Sequence, residues 1–156
     1  MGKRRRAREL ALQYLYQWDF HGTADEEAVK DFWETRNESN EVRRFANRII
    51  SGVKDDQERI DEFIVGHSRH WKISRMGRID RNVLRMAVWE FLHCDDIPPK
   101  VSIDEAIELG KKFGTTESGS FINGILDNIC KKIGKLKGQP PAGDESNEAV
   151  GDKPIG

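Results

Sequence analysis

The residues best equipped for chemistry are four arginines close to the start of the chain: Arg4, Arg5, Arg6 and Arg8. A guanidinium is a planar cation that can fork onto a phosphate and stack on a nucleobase. Residues 1–10 carry five basic side chains and one acidic one, whereas the rest of the chain holds 21 basic and 26 acidic residues. Attraction for phosphate is therefore concentrated at one end. We predict a nucleic-acid contact there, in preference to an ordinary solvated helix end.

Other side chains that could support catalysis or bind a metal lack the partners that this chemistry requires. His67 and His70 could share a metal ion, but no Asp, Glu or Cys stands beside them at a matching ligand spacing. His93 and Cys94 adjoin in the sequence without a third group that the spacing identifies. We therefore predict a protein that is not an enzyme and that has no metal site and no cofactor.

The arginines begin a segment with the pattern of an amphipathic helix. Apolar residues recur at helical spacing from Ala7 to Trp18, which places them on one face. We expect a second face to be exposed and to contact RNA or a protein through aligned arginine, leucine and tyrosine side chains. This face carries Arg5, Arg8, Leu12, Tyr16 and Asp19.

The sequence pattern of the rest of the chain predicts helices and no strands. A second helix is expected to begin near Asp25 and end near Arg36. Ser39 or Asn40 can cap a long third helix that continues to Ile64, softened or divided at Gly52. Residues 79–92 are apolar on nearly every side, so we expect them to form a central, buried helix.

Two more helices are predicted before the composition changes. We expect Pro98 and Pro99 to end regular structure and Ser102 with Glu105 to form a capping box. Gly114 suits a positive φ at the end of that helix. A last helix follows with Phe121, Ile122, Ile125, Leu126 and Ile129.

We therefore predict a compact all-α domain over residues 1–133 and a disordered tail over 134–156, where Gly, Pro and charged residues dominate. No apolar run approaches the length needed to span a bilayer. Cys94 and Cys130 form no CxxC pair, and no secretory signal precedes the first helix. These features predict a cytoplasmic protein.

Four blocks of sequence, in this order, resemble the family of the bacterial transcription antitermination factor NusB. They cover most of residues 3–133, and the last two in succession are quite specific. The blocks are RRRARELALQYLYQWD, IDRNVLRMAVWE, VSIDEAIELGKKFG and FINGILD.

The resemblance implies an all-α fold of two packed three-helix-like subdomains and a protein that binds boxA-type single-stranded RNA. It also implies a ribosomal protein partner, NusE, and assembly with other Nus factors on RNA polymerase during ribosomal RNA transcription. The implied RNA contacts are Arg4, Arg5, Arg6, Arg8, Glu117, Ser120 and Phe121. The implied protein contacts are Tyr16, Phe20 and Asp80.

Several alternatives remain open from the sequence. The family often has Lys or Arg where this chain has Ser120, so one phosphate contact is expected to be missing. Phe121 has a spacing to Ile125 and Leu126 that suits the core as well as base stacking. The whole chain could be a module that binds only protein, or a stand-alone relative of the RNA-binding module of ribosomal RNA methyltransferases. Both a monomer and a homodimer are compatible with the sequence, and a dimer could cover the arginine face.

Overall fold

A computed structural model describes residues 2–21, 26–68 and 72–136. These residues form seven α-helices and one 3₁₀ turn, with no strand among them, which confirms the predicted all-α class. The helices are α1 (Lys3–His21), α2 (Glu26–Glu34), α3 (Asn40–Asp55), α4 (Gln57–Gly66), α5 (Arg78–His93), α6 (Pro99–Phe113) and α7 (Ser118–Leu136). The 3₁₀ turn, Ile73–Arg75, lies between α4 and α5. None of the described helices combines the length and the apolar character required to cross a membrane.

The fold has two packed groups of helices, as predicted, which are α1 to α3 and α5 to α7, and the remaining helix, α4, packs on the second group. Helix α2 packs on α1 and α3 through an edge-to-face contact of Tyr14 with Phe32 and a hydrogen bond from Trp33 Nε1 to Asn47 Oδ1 (2.8 Å). Helices α5, α6 and α7 contact one another, and α4 packs on α5. Helix α1 contacts both α3 and α5, so it joins the two groups and is buried on more than one side.

The predicted long third helix is two helices, divided at Asp56 rather than at Gly52. Ser39 caps α3, because its side chain accepts a hydrogen bond from the Val42 N–H. Gly52 stays inside α3, where the indole of Trp89 lies so close that a Cβ atom would be 2.0 Å from Nε1. This glycine therefore permits close helix packing and does not break the helix.

Helix α5 is the central element, and the prediction that it is buried is confirmed. Residues 82–91 form an unbroken buried run that includes polar side chains. Arg85 donates to both oxygens of Asp61 at 2.9 and 3.2 Å and to Asp19 at 3.3 Å. Asp19 also accepts from Arg81 at 2.6 Å. This network fixes the end of α1 against the start of α5.

The predicted start of α6 is wrong. The helix begins at Pro99, because proline is tolerated in a first turn, where its missing N–H would have had no acceptor within the helix. Ser102 therefore lies inside α6 and donates to Glu90 instead of capping. Gly114, at the end of α6, has φ −101° rather than a positive φ. It is required for space, since a Cβ would lie 2.3 Å from Ser118 Oγ.

Helix α7 continues to Leu136, three residues past the predicted domain end at 133. The remainder of the predicted tail, 137–156, lies outside the described residues.

Candidate nucleic-acid interface

Three of the four predicted arginines project from the first turns of α1 and are close to half exposed. The side chains of Arg4, Arg5 and Arg6 retain 49%, 45% and 43% of their accessible surface. Each guanidinium nevertheless has a carboxylate partner from elsewhere in the fold. The pairs are Arg4 with Asp96 (3.2 Å), Arg5 with Glu105 (2.8 and 3.0 Å) and Arg6 with Glu38 (2.7 Å).

These pairs alter the titration of the carboxylates. The hydrogen bond from Arg5 lowers the pKa of Glu105, and the hydrogen bond from Arg4 lowers the pKa of Asp96. Both carboxylates are therefore ionised at neutral pH. Ion pairs at the protein surface contribute little net free energy, because water competes for both charges. A phosphate can consequently replace the carboxylate as the partner of an exposed arginine.

Arg8 does not share this exposure, and the expectation that it lies on an open face is wrong. It is only 4% exposed. Its Nε and Nη2 donate to the two oxygens of Glu90 at 2.8 and 2.9 Å, and Ser102 Oγ donates to Glu90 at 2.7 Å. A buried carboxylate needs charge and hydrogen-bond partners, and Arg8 meets that need. The side chain that was predicted to bind RNA therefore links α1, α5 and α6.

The rest of the predicted second face of α1 is also mostly covered. Leu12 is buried and Asp19 is engaged by α5, because α1 packs between the two groups of helices. Tyr16 remains exposed at 39%, with the guanidinium of Arg78 5.8 Å from its ring centroid. The side chain of Phe20 lies outside the described part of the chain.

A cleft of about 280 Å³ forms where the start of α7 approaches the start of α5. Its walls bring together three predicted residues, Glu117, Phe121 and Asp80. Phe121 is half-buried, with its ring packed against the core as well as lining the cleft. The core interpretation of its spacing is therefore partly confirmed, and base stacking stays a prediction. Ser120 is exposed and is not one of the residues that line the cleft.

The turn before α7 sets the position of Phe121. Ser118 is buried, and its Oγ accepts a hydrogen bond from the Thr115 N–H at 2.9 Å. The Phe121 N–H then bonds the Glu117 carbonyl oxygen at 3.1 Å. These contacts place the aromatic ring and the acidic side chain one turn apart on the same side of the helix start.

Sequence reasoning missed Arg75, which lines this cleft from the 3₁₀ turn before α5. Arg75 is exposed and forms no ion pair within the described part of the chain. It lies 46 positions from Phe121, so no local spacing linked the two residues. Arg75 therefore supplies the cleft with a cation, whereas position 120, where the family often has Lys or Arg, is an uncharged serine in this chain.

The cleft and the arginines are separated along α1. The Arg8–Glu90 and Asp19–Arg81 pairs show that α1 and α5 run antiparallel. Tyr16 therefore lies near the cleft end of α5, and Arg4 lies about 18 Å away along α1 at the usual rise per residue.

No group of three potential metal ligands occurs within residues 2–21, 26–68 and 72–136. His67 Nδ1 lies 2.8 Å from the Phe63 carbonyl oxygen, which is a contact within its own helix end. The other member of the proposed histidine pair, His70, falls outside the described residues.

Known proteins resemble this chain over nearly its whole length. Residues 5–131 match the model of the NusB family. The transcription antitermination protein NusB of Desulfosudis oleivorans is 46% identical over 144 residues, which cover 90% of this chain and 94% of that protein.

Solved structures agree with the sequence comparison. NusB of T. maritima has a TM-score of 0.76 and 39% identity over 83% of this chain and 91% of its own. A structure of the antitermination factors NusB and NusE in complex with dsRNA has a TM-score of 0.76 and 29% identity, over 85% of this chain and 98% of that one. The predicted resemblance is confirmed, and this chain belongs to the NusB family of transcription antitermination proteins.

Proposed function

We propose that this protein is a transcription antitermination factor, not an enzyme, that binds boxA-type single-stranded RNA together with the ribosomal protein NusE. Family membership supports the class of function, and the related complex of NusB and NusE with dsRNA supports RNA and NusE as the two kinds of ligand. The observation that carries the proposal is the cleft in which the half-buried ring of Phe121 lies beside Arg75 and Glu117. An aromatic ring beside a cation and an acceptor suits an unpaired base and its phosphate.

Each part of the site has a distinct role in this proposal. Phe121 stacks on a base, and the Glu117 carboxylate accepts a hydrogen bond from a base amino group. Arg4, Arg5 and Arg6 exchange their carboxylates for phosphates, while Ser120 borders the bound strand. Arg8 acts indirectly, because its bond to Glu90 holds the start of α1 in place.

The protein partner is assigned to the cleft end of α1. Tyr16 is exposed there and Asp80 lines the cleft, so NusE bound on Tyr16, Phe20 and Asp80 would extend the RNA surface. The complex would then join other Nus factors and RNA polymerase in the cytoplasm during ribosomal RNA transcription. A homodimer that covered the arginine end would be an unbound form, and RNA binding would dissociate it.

One observation favours a second candidate, a module that binds only protein. All four arginines of α1 have carboxylate partners within the protein, so charge alone does not require an RNA ligand. In that case Tyr16 and Asp80 would bind a partner and the arginines would only join helices.

The test replaces Phe121 with alanine and titrates single-stranded boxA-type RNA with and without NusE. We expect a loss of about 1–3 kcal/mol in RNA affinity, the usual contribution of one stacked base. The matched control is Phe63→Ala on α4, since Phe63 is also a half-buried phenylalanine that packs against the core. Thermal denaturation accompanies both titrations.

The two candidate functions give different results. RNA binding requires that Phe121→Ala weaken RNA binding more than Phe63→Ala does, at a comparable change in melting temperature. A protein-only module would bind NusE without detectable RNA affinity in any variant. A double-stranded RNA of the same sequence serves as a third ligand, because stacking on Phe121 requires an unpaired base.

A further inference from the structure

A second group of cations lies at the opposite end of α1 from the Phe121 cleft. Helix α3 and the start of α1 border an open groove of about 220 Å³. Its floor includes Phe45, and its rim carries Lys3, Arg4, Arg44, Arg48 and Glu41. Among these groove residues only Arg4 was predicted to contact RNA, although Arg44 and Arg48 are four residues apart on one face of a helix.

The two α3 arginines differ from those of α1 in the partners that they already have. Neither Arg44 nor Arg48 forms an ion pair with a carboxylate in the part of the chain that the structure describes. The side chain of Arg44 is exposed and makes no hydrogen bond to a described residue. The only side-chain hydrogen bond of Arg48 to a described residue is a weak one, from Nη2 to Cys94 Sγ at 3.9 Å. Their donors are therefore open to an external anion.

Arg48 is nevertheless held in a defined position. Its guanidinium carbon lies 5.8 Å from the centroid of Phe45 and 5.6 Å from that of Trp89. Arg4 lies over the same Phe45 ring at 4.8 Å. Stacking on a ring uses the face of the guanidinium and leaves the N–H groups in its plane free to donate. Arg48 is thus positioned with donors available, beside an Arg4 guanidinium that already donates to Asp96.

The groove keeps a positive charge after its own acids are counted. Glu41 pairs with Lys3, and Asp96 pairs with Arg4 at 3.2 Å. Four cations therefore face two carboxylates, and the excess comes from Arg44 and Arg48. Such a surface suits a polyanion and is unsuited to an apolar or basic partner.

We propose that Arg44 and Arg48 bind backbone phosphates of the same RNA strand that occupies the Phe121 cleft. This inference rests on the proposed RNA-binding function. It adds two phosphate contacts on α3 to those proposed for the arginines of α1. Along α1, Arg4 at the groove lies roughly 18 Å from Tyr16 near the cleft end, and the strand would have to follow this length of the helix. At a stacked rise of about 3.4 Å per nucleotide this distance needs about five nucleotides.

The test measures binding of a single-stranded 12-nucleotide boxA-type RNA and of a 4-nucleotide RNA over a range of salt concentrations, and it measures binding of NusE to the same variants. The variants are Arg44→Ala and Arg44→Ala/Arg48→Ala, with Phe121→Ala alongside. The matched control is Lys131→Ala/Lys132→Ala, which removes two exposed cations from α7. Arg44→Ala alone keeps the test valid if loss of Arg48 disturbs packing.

Each contact with a phosphate of single-stranded RNA contributes about 0.7 to the slope of log affinity against log salt, or about fivefold in affinity at 0.1 M relative to 1 M salt. We expect the double variant to bind the 12-nucleotide RNA about 25-fold more weakly at 0.1 M salt, with a slope shallower by about 1.4. Arg44→Ala should show about half of that change in slope. The 4-nucleotide RNA should be bound as by the wild type.

The proposal is overturned if the double variant loses no more affinity than the lysine control, or if its slope is unchanged. It is also overturned if the arginine variants weaken binding of NusE and leave RNA binding intact, since the groove would then hold an acidic protein segment. If Phe121→Ala lowers RNA affinity while the arginine variants do not, this proposal fails and the proposed function stands. If the wild type binds neither RNA, both fail.

Discussion

The start of α1 and the Phe121 cleft both present cations, yet they are partnered in opposite ways. At the start of α1, every arginine has a carboxylate from another element, and the Arg8–Glu90 pair is buried. In the cleft, Arg75 lines the wall near Glu117 and Asp80 without forming an ion pair with a described residue. The start of α1 therefore has more basic side chains, while the cleft has the cation that is not held in an ion pair with a described residue.

The difference shows that a count of basic residues does not measure the capacity to bind an anion. A guanidinium that already has a bidentate partner must give up that partner before it can hold a phosphate. When the pair is exposed, this exchange is nearly neutral, but when the pair is buried it leaves an isolated charge in the core. Arg4 and Arg8, which are four positions apart in one cluster, therefore differ: Arg4 can exchange its carboxylate for a phosphate, and Arg8 cannot do so without leaving Glu90 unpaired.

The largest expected effect is the loss of stability on replacing Arg8. In Arg8→Ala, Glu90 would remain buried without its cation, which typically costs about 3–5 kcal/mol in the free energy of unfolding. Chemical denaturation measures this value. Arg5→Ala is the control, because Arg5 also forms a bidentate pair with a glutamate but is exposed, and its stability should stay close to that of the wild type.

A second variant separates the charge of Arg8 from its volume. Arg8→Met with Glu90→Leu removes both charges, and it should regain much of the stability that Arg8→Ala loses, since a buried ion pair can often be replaced by apolar residues. If Arg8→Ala instead kept wild-type stability and lost RNA affinity, Arg8 would be a direct RNA contact and the contrast with Arg5 would be wrong.

Helical periodicity was sufficient to predict most of the fold. The run from 79 to 92 is apolar on nearly all sides, and it forms the buried α5. The boundaries were less predictable, because they depend on contacts that are distant in the sequence. Gly52 suggested a break, but the indole of Trp89 needs the space above it. Ser102 suggested a cap, but the buried Glu90 takes its hydroxyl group.

The site was less accessible to sequence reasoning than the fold. The matched motifs pointed to Phe121, Glu117 and Asp80, and these three do line one cleft. Exposure on α1 was misjudged because a single helical face was assigned to the core, whereas α1 is packed between two groups of helices. The pairing of Arg8 with Glu90 spans 82 residues, so only the tertiary fold could reveal it.

A smaller effect is expected on replacing Arg75, and it tests whether the cation of the cleft contacts a phosphate. Arg75→Ala should lower RNA affinity about fivefold at 0.1 M salt and reduce the salt slope by about 0.7, the effect of one phosphate contact. Ser120→Lys in the same background places a cation beside Phe121 and should restore part of both values. RNA titrations at several salt concentrations measure the affinity and the slope, and thermal denaturation checks that the variants remain as stable as the wild type. A wild-type slope in Arg75→Ala would exclude Arg75 from the interface.

The smallest expected effect is a gain in RNA affinity. It tests whether the carboxylates paired with the α1 arginines compete with phosphate for them. Glu105→Gln should free Arg5 for phosphate and raise RNA affinity about two- to fivefold, with a salt slope steeper by up to about 0.7. Glu108→Gln is the matched control, because it removes the same charge from the same helix without removing a hydrogen bond to Arg5, and the ion-pair partner of Glu108 is Lys111. Equal gains in the two variants would mean that net charge, not release of Arg5, controls affinity.

The pH dependence of stability gives an independent measure of the same pair. The hydrogen bond from Arg5 lowers the pKa of Glu105 below its ordinary value of 4.5. A depressed carboxylate pKa means that the pair stabilises the fold above pH 4.5 and that this contribution is lost as the pH falls through the folded-state pKa. Wild type should therefore lose stability in that acidic window by more than Glu105→Gln does. If both lose stability equally, the Arg5–Glu105 pair contributes nothing measurable, and an incoming phosphate would meet no competition from Glu105.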